Sequence, residues 1–261
     1  MKEFQIKEAA DKLWEVLETK KPVAPLTELY KLEKLDDAYK IQLENIEKKK
    51  KMGKKVIGKK IGLTSKAMQK ALGVNEPDYG FLMEDMIFDE NTPIVASERL
   101  IQPKVEPELA FVLKEELKGP GITIVDVLRA TKGIMISFEI IDSRIKDWKI
   151  KLPDTIADNA SSGMFVLGSK MISLDQVDLK TIGLVFEKNG EIIDTATSAA
   201  VLGNPALAVA WLANKLSEYD ISLKKGEIIL SGAFVKAQEV KIGDVFTAEM
   251  TGLGTVKTKF I

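Results

Sequence analysis

The sequence predicts an α+β fold in which an N-terminal helical portion precedes a mixed β-sheet core. Helical spacing of apolar residues dominates the first fifty positions, and strand-like, glycine-punctuated segments fill the second half of the 261 residues. The regular alternation of strands and helices that is typical of a parallel doubly wound sheet is not seen. We expect residues 1–52 to form the helical portion and residues 53–261 a β-rich domain, and a single structural unit also fits this pattern.

Two helices are predicted at the start of the chain. Apolar residues recur at helical spacing from Ile6 to Leu17, and a second stripe follows Asp36, an acidic residue suited to a helix N-terminus. Lysines end the second helix before Gly53. This lysine run is interpreted as a solvated helix end, because no aromatic residues that could stack on nucleic-acid bases lie within it.

Later elements are predicted from local signals for strands, caps and turns. These are a strand at 56–62, a helix capped by Thr64 and closed by Gly73, an extended stretch at 99–117, a helix capped by Thr123, a strand at 134–141, a hairpin turn at Asn189-Gly190, a helix after Asn204-Pro205, and strands at 227–230, 240–248 and 255–260.

Composition limits the chemistry. The chain contains neither histidine nor cysteine, which excludes disulfides, thiolate nucleophiles, Ser-His-Asp triads and zinc sites built from His or Cys. The net charge of -1 gives no reason to expect nucleic acid as a partner. No apolar run predicts a membrane span or a signal peptide, so we expect no membrane partner and a cytosolic location. Catalysis must rest on carboxylates, lysine, hydroxyls, backbone amides or an oxygen-ligated metal.

Two glutamates lie on one predicted strand. Side chains alternate along a strand, so Glu106 and Glu108 share a face, and both faces become apolar just after them. Two such carboxylates repel each other and resist desolvation, a conflict that a divalent cation would resolve. Pro107 lacks the amide for strand pairing and favours an edge strand or a bulge. The alternative is an exposed edge strand with two solvated glutamates.

A third glutamate, Glu139, interrupts the apolar strand at 134–141. An unpaired buried carboxylate is costly, so it should bind a metal or form a salt bridge, with Arg144 and Lys132 as candidate partners. Three carboxylates without histidine or cysteine suit a hard cation such as Mg²⁺ or Mn²⁺.

Three further segments are candidates for polar roles. Lys59 and Lys60 are adjacent on a predicted strand, so only one of them should face inward, and two surface lysines are the alternative. Asp78 follows Pro77 in a turn-like segment, where an ordinary turn role is the default. The polar loop at 158–163 can cradle an anion or serve only as a cap and turn.

At these residues the chain resembles the hydratase/decarboxylase branch of the fumarylacetoacetate hydrolase superfamily. The matching motifs occur in family order and span nearly the whole chain. They are IGKKIGLTSK (57–66), PDYG (77–80), SERLIQP (97–103), EPELAF (106–111), EIIDSRIKDWKI (139–150), ADNAS (157–161) and AWLAN (210–214).

The resemblance implies a β-roll core of the fumarylacetoacetate hydrolase type as the catalytic domain. It implies that three glutamates hold Mg²⁺ or Mn²⁺, that Lys60 rather than Lys59 faces the substrate with Asp78 nearby, and that Thr64 and Ser161 help to hold the substrate carboxylate. The implied metal ligands are Glu106, Glu108 and Glu139.

The implied activity is hydration of 2-hydroxypenta-2,4-dienoate to 4-hydroxy-2-oxopentanoate during catabolism of aromatic compounds. The Lys59-Lys60 pair, Asp78 before Tyr79-Gly80, and residues 147–150 resemble the hydratase. Decarboxylation of 4-oxalocrotonate is the alternative within the branch, and a non-catalytic metal-binding scaffold is an alternative of another class. Hydrolytic C–C cleavage is disfavoured, because the superfamily typically uses a His-Glu pair for it. The resemblance also implies a homo-oligomer that can associate with a 4-oxalocrotonate decarboxylase.

Overall fold

An N-terminal layer of helices covers part of a large mixed β-sheet. The structure is a computed structural model that describes residues 1–261, apart from the side chains of residues 67, 71 and 72. The helices are α1 (Glu3–Thr19), α2 (Leu26–Leu29), α3 (Leu35–Lys51), α4 (Lys66–Leu72), α5 (Ala96–Arg99), α6 (Ile124–Ala130), α7 (Leu152–Ala157) and α8 (Pro205–Ser217).

The strands form two sheets. They are β1 (Val56–Gly62), β2 (Asp78–Met83), β3 (Ile87–Asp89), β4 (Pro103–Leu113), β5 (Thr131–Asp142), β6 (Ser162–Ile172), β7 (Gly183–Lys188), β8 (Glu191–Thr197), β9 (Ile228–Ala233), β10 (Gln238–Glu239), β11 (Val245–Met250) and β12 (Gly254–Lys259). The larger sheet has the order β2-β1-β9-β4-β5-β6-β3, with β10 added to β4, and the smaller has the order β12-β11-β7-β8. The larger sheet is mixed, because β1 is parallel to β9 and β3 is parallel to β6.

Aromatic side chains join the two sheets. Phe138 of β5 packs on Phe186 of β7, Phe186 on Phe246 of β11, and Phe246 on Phe260, each pair with ring centroids 5.9 Å apart. All four rings are fully buried. Since side chains alternate along β5, this packing turns the neighbouring Glu139 toward the opposite face of the larger sheet.

Most of the predicted elements are confirmed. Apolar residues at helical spacing in α1 and α3 join the same hydrophobic core as the sheets. Thr123 caps α6 in a capping box with Asp126, and Asn204 caps α8 by accepting the Ala206 amide. The hairpin turn at Asn189-Gly190 joins β7 to β8. The mixed α+β architecture with a helical N-terminus is therefore confirmed.

Other local predictions were wrong. Ser65, not Thr64, occupies the N-cap position of α4, although Gly73 does close that helix in a left-handed conformation. The stretch at 99–117 is mostly extended, as predicted, although α5 ends at Arg99 and the strand begins at Pro103. The short helices α2 and α7 were not predicted, since neither is long enough to show a periodic apolar stripe.

Of the two positions predicted for the Pro107 strand, an edge or a bulge, the structure shows the bulge. β4 lies inside the larger sheet between β5 and β9, and it has a register shift toward β9 between Glu108 and Ala110. The Pro107 carbonyl accepts the Phe234 amide at 3.3 Å, so Pro107 still contributes one hydrogen bond to the pairing on this side of β4. The bulge that proline favours is thus present without an exposed edge.

The division into residues 1–52 and residues 53–261 stays a prediction. The helical segment ends at Lys51 and the first strand begins at Val56, but the helices and the sheet share one core. Among the described residues, no helix is both long and apolar enough to cross a membrane.

Candidate metal and substrate site

Three glutamates converge on one face of the antiparallel pair β4 and β5. Alternation along β4 places Glu106 and Glu108 on the same face, and Glu139 of β5 stands directly opposite Glu106. Glu108 and Glu139 are fully buried, whereas Glu106 is partly exposed and marks the mouth of the site. Strand pairing therefore brings together the three carboxylates that the sequence singled out.

Several carboxylate oxygens in this cluster lack a partner. Glu108 Oε2 accepts the Gly232 amide at 2.8 Å, but Glu108 Oε1 and both oxygens of Glu139 make no aligned hydrogen bond with any described residue. One oxygen from each of the three glutamates lies within 4.8 Å of the others. Because unpartnered buried anions are costly and Mg²⁺ takes carboxylate oxygens as ligands, this donor set fits a hard divalent cation.

Without a cation, the three glutamates resist ionisation. Desolvation and then the negative charge of Glu139 raise the pKa of Glu106 to about 8. The same two causes, in the same order, raise the pKa of Glu108 well above its ordinary value. Desolvation also raises the pKa of Glu139, although the charge of Lys60 opposes this. A bound divalent cation would favour all three ionised forms and remove this conflict.

Lys60 supplies the positive charge inside the cluster. Its Nζ lies 3.3 Å from Glu139 Oε1, an ion-pair contact between two buried side chains. Burial alone would lower the pKa of Lys60, but the carboxylates, Glu139 first, outweigh burial and raise it. Ionised carboxylates around Lys60 therefore favour its charged form. The alternative partner considered for Glu139, Arg144, pairs instead with Asp158.

The prediction that only one of Lys59 and Lys60 faces inward was wrong. Lys59 is also buried, and its Nζ lies 2.6 Å from both carboxylate oxygens of Glu227. Successive strand residues point to opposite faces, so Lys59 and Lys60 serve different environments. Both faces of β1 are covered here, which is why both ammonium groups are buried with carboxylate partners.

Asp78 lies beside Lys60, across the β1–β2 pair. Asp78 opposes Gly62 in the register, and a Cβ added to Gly62 would lie 2.2 Å from Asp78 Oδ1 and 3.3 Å from Lys60 Nζ. Asp78 is buried, and Oδ1 makes no hydrogen bond with any described residue. Desolvation raises the pKa of Asp78, opposed chiefly by the charge of Lys60. The turn role taken as the default is replaced by a strand position in the cluster.

Thr64 packs at the Glu108 end of the site. A Cβ added to Gly232 would lie 2.1 Å from Thr64 Oγ1, so the threonine fills the space above this glycine. Gly232 has a φ of 113° and presents its amide to Glu108. Both observations explain why glycine occupies this position, since an L side chain there would be strained and would clash.

Ser161, the other predicted substrate-binding residue, has its hydroxyl engaged elsewhere. Its Oγ lies 3.3 Å from Thr155 Oγ1 and 3.4 Å from Asp158 Oδ2. The next residue, Ser162, is buried beside Glu139 and helps to lower the pKa of that carboxyl. Among the described residues, the Ser162 hydroxyl has no aligned hydrogen-bond partner. The structure thus places Ser162, rather than the predicted Ser161, beside the carboxylates.

The backbone of this loop is unusual. Asn159, Ala160 and Ser161 all have left-handed φ angles of 54°, 48° and 52°. Such conformations are uncommon for residues other than glycine and persist where the surroundings hold them. Here the Asn159 side chain pairs with both the amide and the carbonyl of Phe81 in β2. The loop is therefore attached to the strand that carries Asp78.

Sequence reasoning missed one contributor besides Ser162. The Gly232 amide comes from β9, more than 120 residues after Glu108. A backbone amide has no side-chain signature, so only the SGA segment of β9 could have drawn attention to it.

Comparison with known proteins agrees with this geometry. Residues 47–261 match the model of the fumarylacetoacetate (FAA) hydrolase C-terminal family. The chain belongs to this family. Family members that are similar over most of the chain include a 2-hydroxypent-2,4-dienoate hydratase from Pseudomonas putida, 48% identical over 83% of this chain and 98% of the relative. Another is a 2-keto-4-pentenoate hydratase from Paraburkholderia xenovorans, 45% identical over 98% of this chain and 95% of the relative.

The fold is also that of a solved family member. The 4-oxalocrotonate decarboxylase from Pseudomonas putida G7, complexed with magnesium and adipate, superimposes with a TM-score of 0.97. It is 37% identical and covers 100% of this chain and 99% of its own. The predicted fumarylacetoacetate hydrolase type of fold is therefore confirmed.

Proposed function

We propose that this protein is a divalent-metal-dependent hydro-lyase that adds water to 2-hydroxypenta-2,4-dienoate and forms 4-hydroxy-2-oxopentanoate. The observation that carries the proposal is the buried cluster of Glu106, Glu108, Glu139, Lys60 and Asp78 in a chain 45–48% identical to curated hydratases. The relatives supply the substrate class. The cluster would supply a cation site, a positive charge and a buried carboxylate that could move protons.

Glu106, Glu108 and Glu139 would hold the metal, with Mg²⁺ favoured by the magnesium-bound relative and Mn²⁺ kept as the second candidate. When bound, such an ion polarises the 2-oxygen of a chelating 2-oxo or enol acid and stabilises the enolate form. The unpartnered oxygens of Glu108 and Glu139 support this assignment, because a cation would satisfy them.

Lys60 would stabilise negative charge on the 2-oxygen of the substrate. The charges of the carboxylates, Glu139 first, raise the pKa of Lys60 and favour its ammonium form, so it would serve as a hydrogen-bond donor and a fixed charge, with proton handling as the alternative role. Loss of the 2-hydroxyl proton and protonation at C5 convert the dienol into a 2-oxo-3-enoate, whose C4 is electrophilic. In this role Lys60 would hold the developing oxyanion during this step.

Asp78 would act as the base that takes a proton from the water adding at C4. Its Oδ1 has no partner among the described residues, and burial raises its pKa toward the range that suits proton transfer near neutrality. Thr64 and Ser161 would contribute to the pocket for the substrate carboxylate, with Ser162 as an additional candidate. Water supplies the hydroxyl at C4, and the proton that Asp78 takes is balanced by protonation at C3, so no other reactant is consumed.

Decarboxylation of 4-oxalocrotonate is the second candidate, because the solved decarboxylase has the same fold over the whole chain. The higher identity to hydratases favours hydration. A non-catalytic scaffold is disfavoured, since a scaffold has no need for the Lys60–Asp78 arrangement. The cytosolic location, the homo-oligomer and an association with a decarboxylase stay predictions.

The deciding experiment incubates purified protein with freshly generated 2-hydroxypenta-2,4-dienoate, with and without Mg²⁺ or Mn²⁺. The dienol absorbance is followed and the product is identified by NMR. We expect metal-dependent formation of 4-hydroxy-2-oxopentanoate. Release of CO₂ from 4-oxalocrotonate without hydration of the dienol would favour the decarboxylase, and no turnover of either acid would favour the scaffold.

A further inference from the structure

A lysine stands at the mouth of the carboxylate cluster, outside the site described so far. Lys104 precedes Glu106 by two positions on β4, in a part of the β4–β5 register without irregularity. It therefore shares the face that carries Glu106 and Glu108. Lys104 is partly exposed, like Glu106, so this lysine lies between the buried cluster and solvent.

An indole ring holds this lysine in place. Lys104 Nζ lies 4.6 Å from the centroid of the Trp148 ring, a cation–π contact. Trp148 Nε1 in turn donates to the Gln102 carbonyl at 3.0 Å, which attaches the indole to the start of β4. Glu239 of β10 stands opposite Lys104 in the register, but Lys104 is in none of the ion pairs between described side chains, so its charge can meet a ligand.

The turn that carries the indole has an uncommon backbone. Asp147 and Trp148 both have left-handed φ angles, 57° and 54°, within the 146–148 turn. Two successive non-glycine residues in this region are disfavoured unless tertiary contacts hold them. The Trp148 contacts with Gln102 and Lys104 are such contacts. The strained turn therefore places the indole beside Lys104 at the mouth.

The net negative charge of the carboxylate cluster favours a positively charged side chain at the mouth of the site. Ionised Glu106, Glu108, Glu139 and Asp78 outnumber the charges of Lys60 and one divalent ion, which leaves one negative charge in excess. A substrate that carries a carboxylate would be repelled on approach. A lysine at the mouth on the same face offsets this repulsion.

We propose that Lys104, held over the Trp148 ring, is the docking cation for the carboxylate of the incoming small 2-oxo or enol acid. This inference rests on the proposed function, because it takes that class of acid as the ligand. Lys104 would determine how well the anion binds, and Lys60 and Asp78 would determine how fast it reacts.

The test compares Lys104→Met with Lys104→Arg and with Lys48→Met. Lys48 is a matched control, because its Nζ also lies over an indole, 5.5 Å from the Trp14 centroid, between α1 and α3. Binding of 2-oxopentanoate, an unreactive saturated analogue, to the Mg²⁺-loaded proteins is measured by calorimetry at several salt concentrations. Mg²⁺ affinity is measured separately for each variant.

We expect Lys104→Met to weaken 2-oxopentanoate binding about three- to five-fold, the size expected for one partly exposed charged contact, and to flatten its salt dependence. The same variant should raise KM with little change in kcat and should leave Mg²⁺ binding equal or tighter, since it removes a positive charge near the ligands. Lys104→Arg and Lys48→Met should behave like the wild type.

Three outcomes would overturn the inference. The first is unchanged 2-oxopentanoate affinity and salt dependence in Lys104→Met. The second is a parallel loss of Mg²⁺ affinity and melting temperature, which would indicate a structural role. The third is no binding of 2-oxopentanoate by the loaded wild type. Binding that depends on Lys104 in a protein without hydratase activity would instead support the inference and reject the proposed function.

Discussion

Lys60 and Glu139 form a buried ion pair at the centre of the carboxylate cluster, with 4% and 0% of their side chains exposed. The pair joins β1 to β5, which are separated in the larger sheet by β9 and β4. One carboxylate thus faces both a fixed cation and the two other glutamates. This arrangement favours the charged form of Lys60, and the second oxygen of Glu139 makes no hydrogen bond with a described residue.

Replacing Lys60 should separate catalysis from metal binding. Lys60→Met removes the charge that would stabilise the oxyanion, and we expect kcat to fall by about 100-fold or more, as for the loss of other such donors. Mg²⁺ affinity should stay equal or increase, because a competing cation is lost beside Glu139. Steady-state kinetics and calorimetry measure the two effects. A Lys60→Met enzyme with wild-type kcat would contradict the catalytic role.

Replacing Lys59 should affect stability instead. Lys59→Met leaves Glu227 buried without its cation, and breaking a buried pair typically costs about 3–5 kcal/mol of unfolding free energy. Urea unfolding measures this loss, and kcat should stay close to the wild-type value. The double variant Lys59→Met/Glu227→Gln should recover part of the stability. Equal loss of kcat in Lys59→Met and Lys60→Met would show that the two faces of β1 are not functionally distinct.

Glutamine at a ligand position should abolish tight metal binding. Because loss of residues that merely support a metal ligand costs about 10–100-fold in affinity, we expect Glu108→Gln and Glu139→Gln to lose at least about 100-fold. Titration with Mg²⁺, followed by calorimetry, measures the loss. Glu249→Gln, an exposed glutamate on β11, is the control. Unchanged Mg²⁺ affinity in both site variants would reject the metal site.

Metal removal should make stability depend on pH. Since the pKa of Glu106 is raised from 4.5 to about 8, the folded metal-free protein keeps a proton that the unfolded chain releases. Its stability should therefore fall as pH rises from 4.5 toward 8, and Glu108 adds to this trend in the same direction. Thermal melting of EDTA-treated protein across this range is the measurement. Added Mg²⁺ should stabilise the protein more at the high end, and an Mg²⁺ effect that does not change with pH would contradict this explanation.

Site residues could be predicted where the neighbouring sequence alone identifies them. Contacts that depend on how distant strands pair could not be predicted. The spacing of Glu106 and Glu108 places both on one face of a strand, and the apolar neighbours of Glu139 mark it as an unusual buried carboxylate. Their meeting depends on the β4–β5 register, which no local pattern encodes. Lys59 was placed wrongly because its partner, Glu227, lies 168 positions away.

The fold shows the same division. Long amphipathic helices and the Asn189-Gly190 hairpin follow from local periodicity and turn chemistry, and both were predicted. The interior position of β4 was not, because Pro107 alone favours an edge, and β9 accommodates it through a register shift formed by a distant segment. Short helices such as α7 lack the length over which helical periodicity becomes visible.

Gly62→Ala tests the placement of Asp78 without changing any charge. The added Cβ would lie 2.2 Å from Asp78 Oδ1, so the carboxylate must move away from the position it shares with Lys60. If Asp78 is the base for water addition, we expect kcat to fall about ten-fold or more, because small misplacements of reacting groups have large effects on rate. Asp78→Asn should lose more activity than Gly62→Ala, and neither variant should lose Mg²⁺ affinity. Stopped-flow decay of the dienol measures the rate, and circular dichroism checks that the fold is kept.

Gly183→Ala on β7, in the smaller sheet, is the control, since its Cβ would lie 3.0 Å from the side chain of Thr251. A folded Gly62→Ala enzyme with wild-type kcat would show that the position of Asp78 does not limit the reaction, and the base would then have to be sought elsewhere in the pocket.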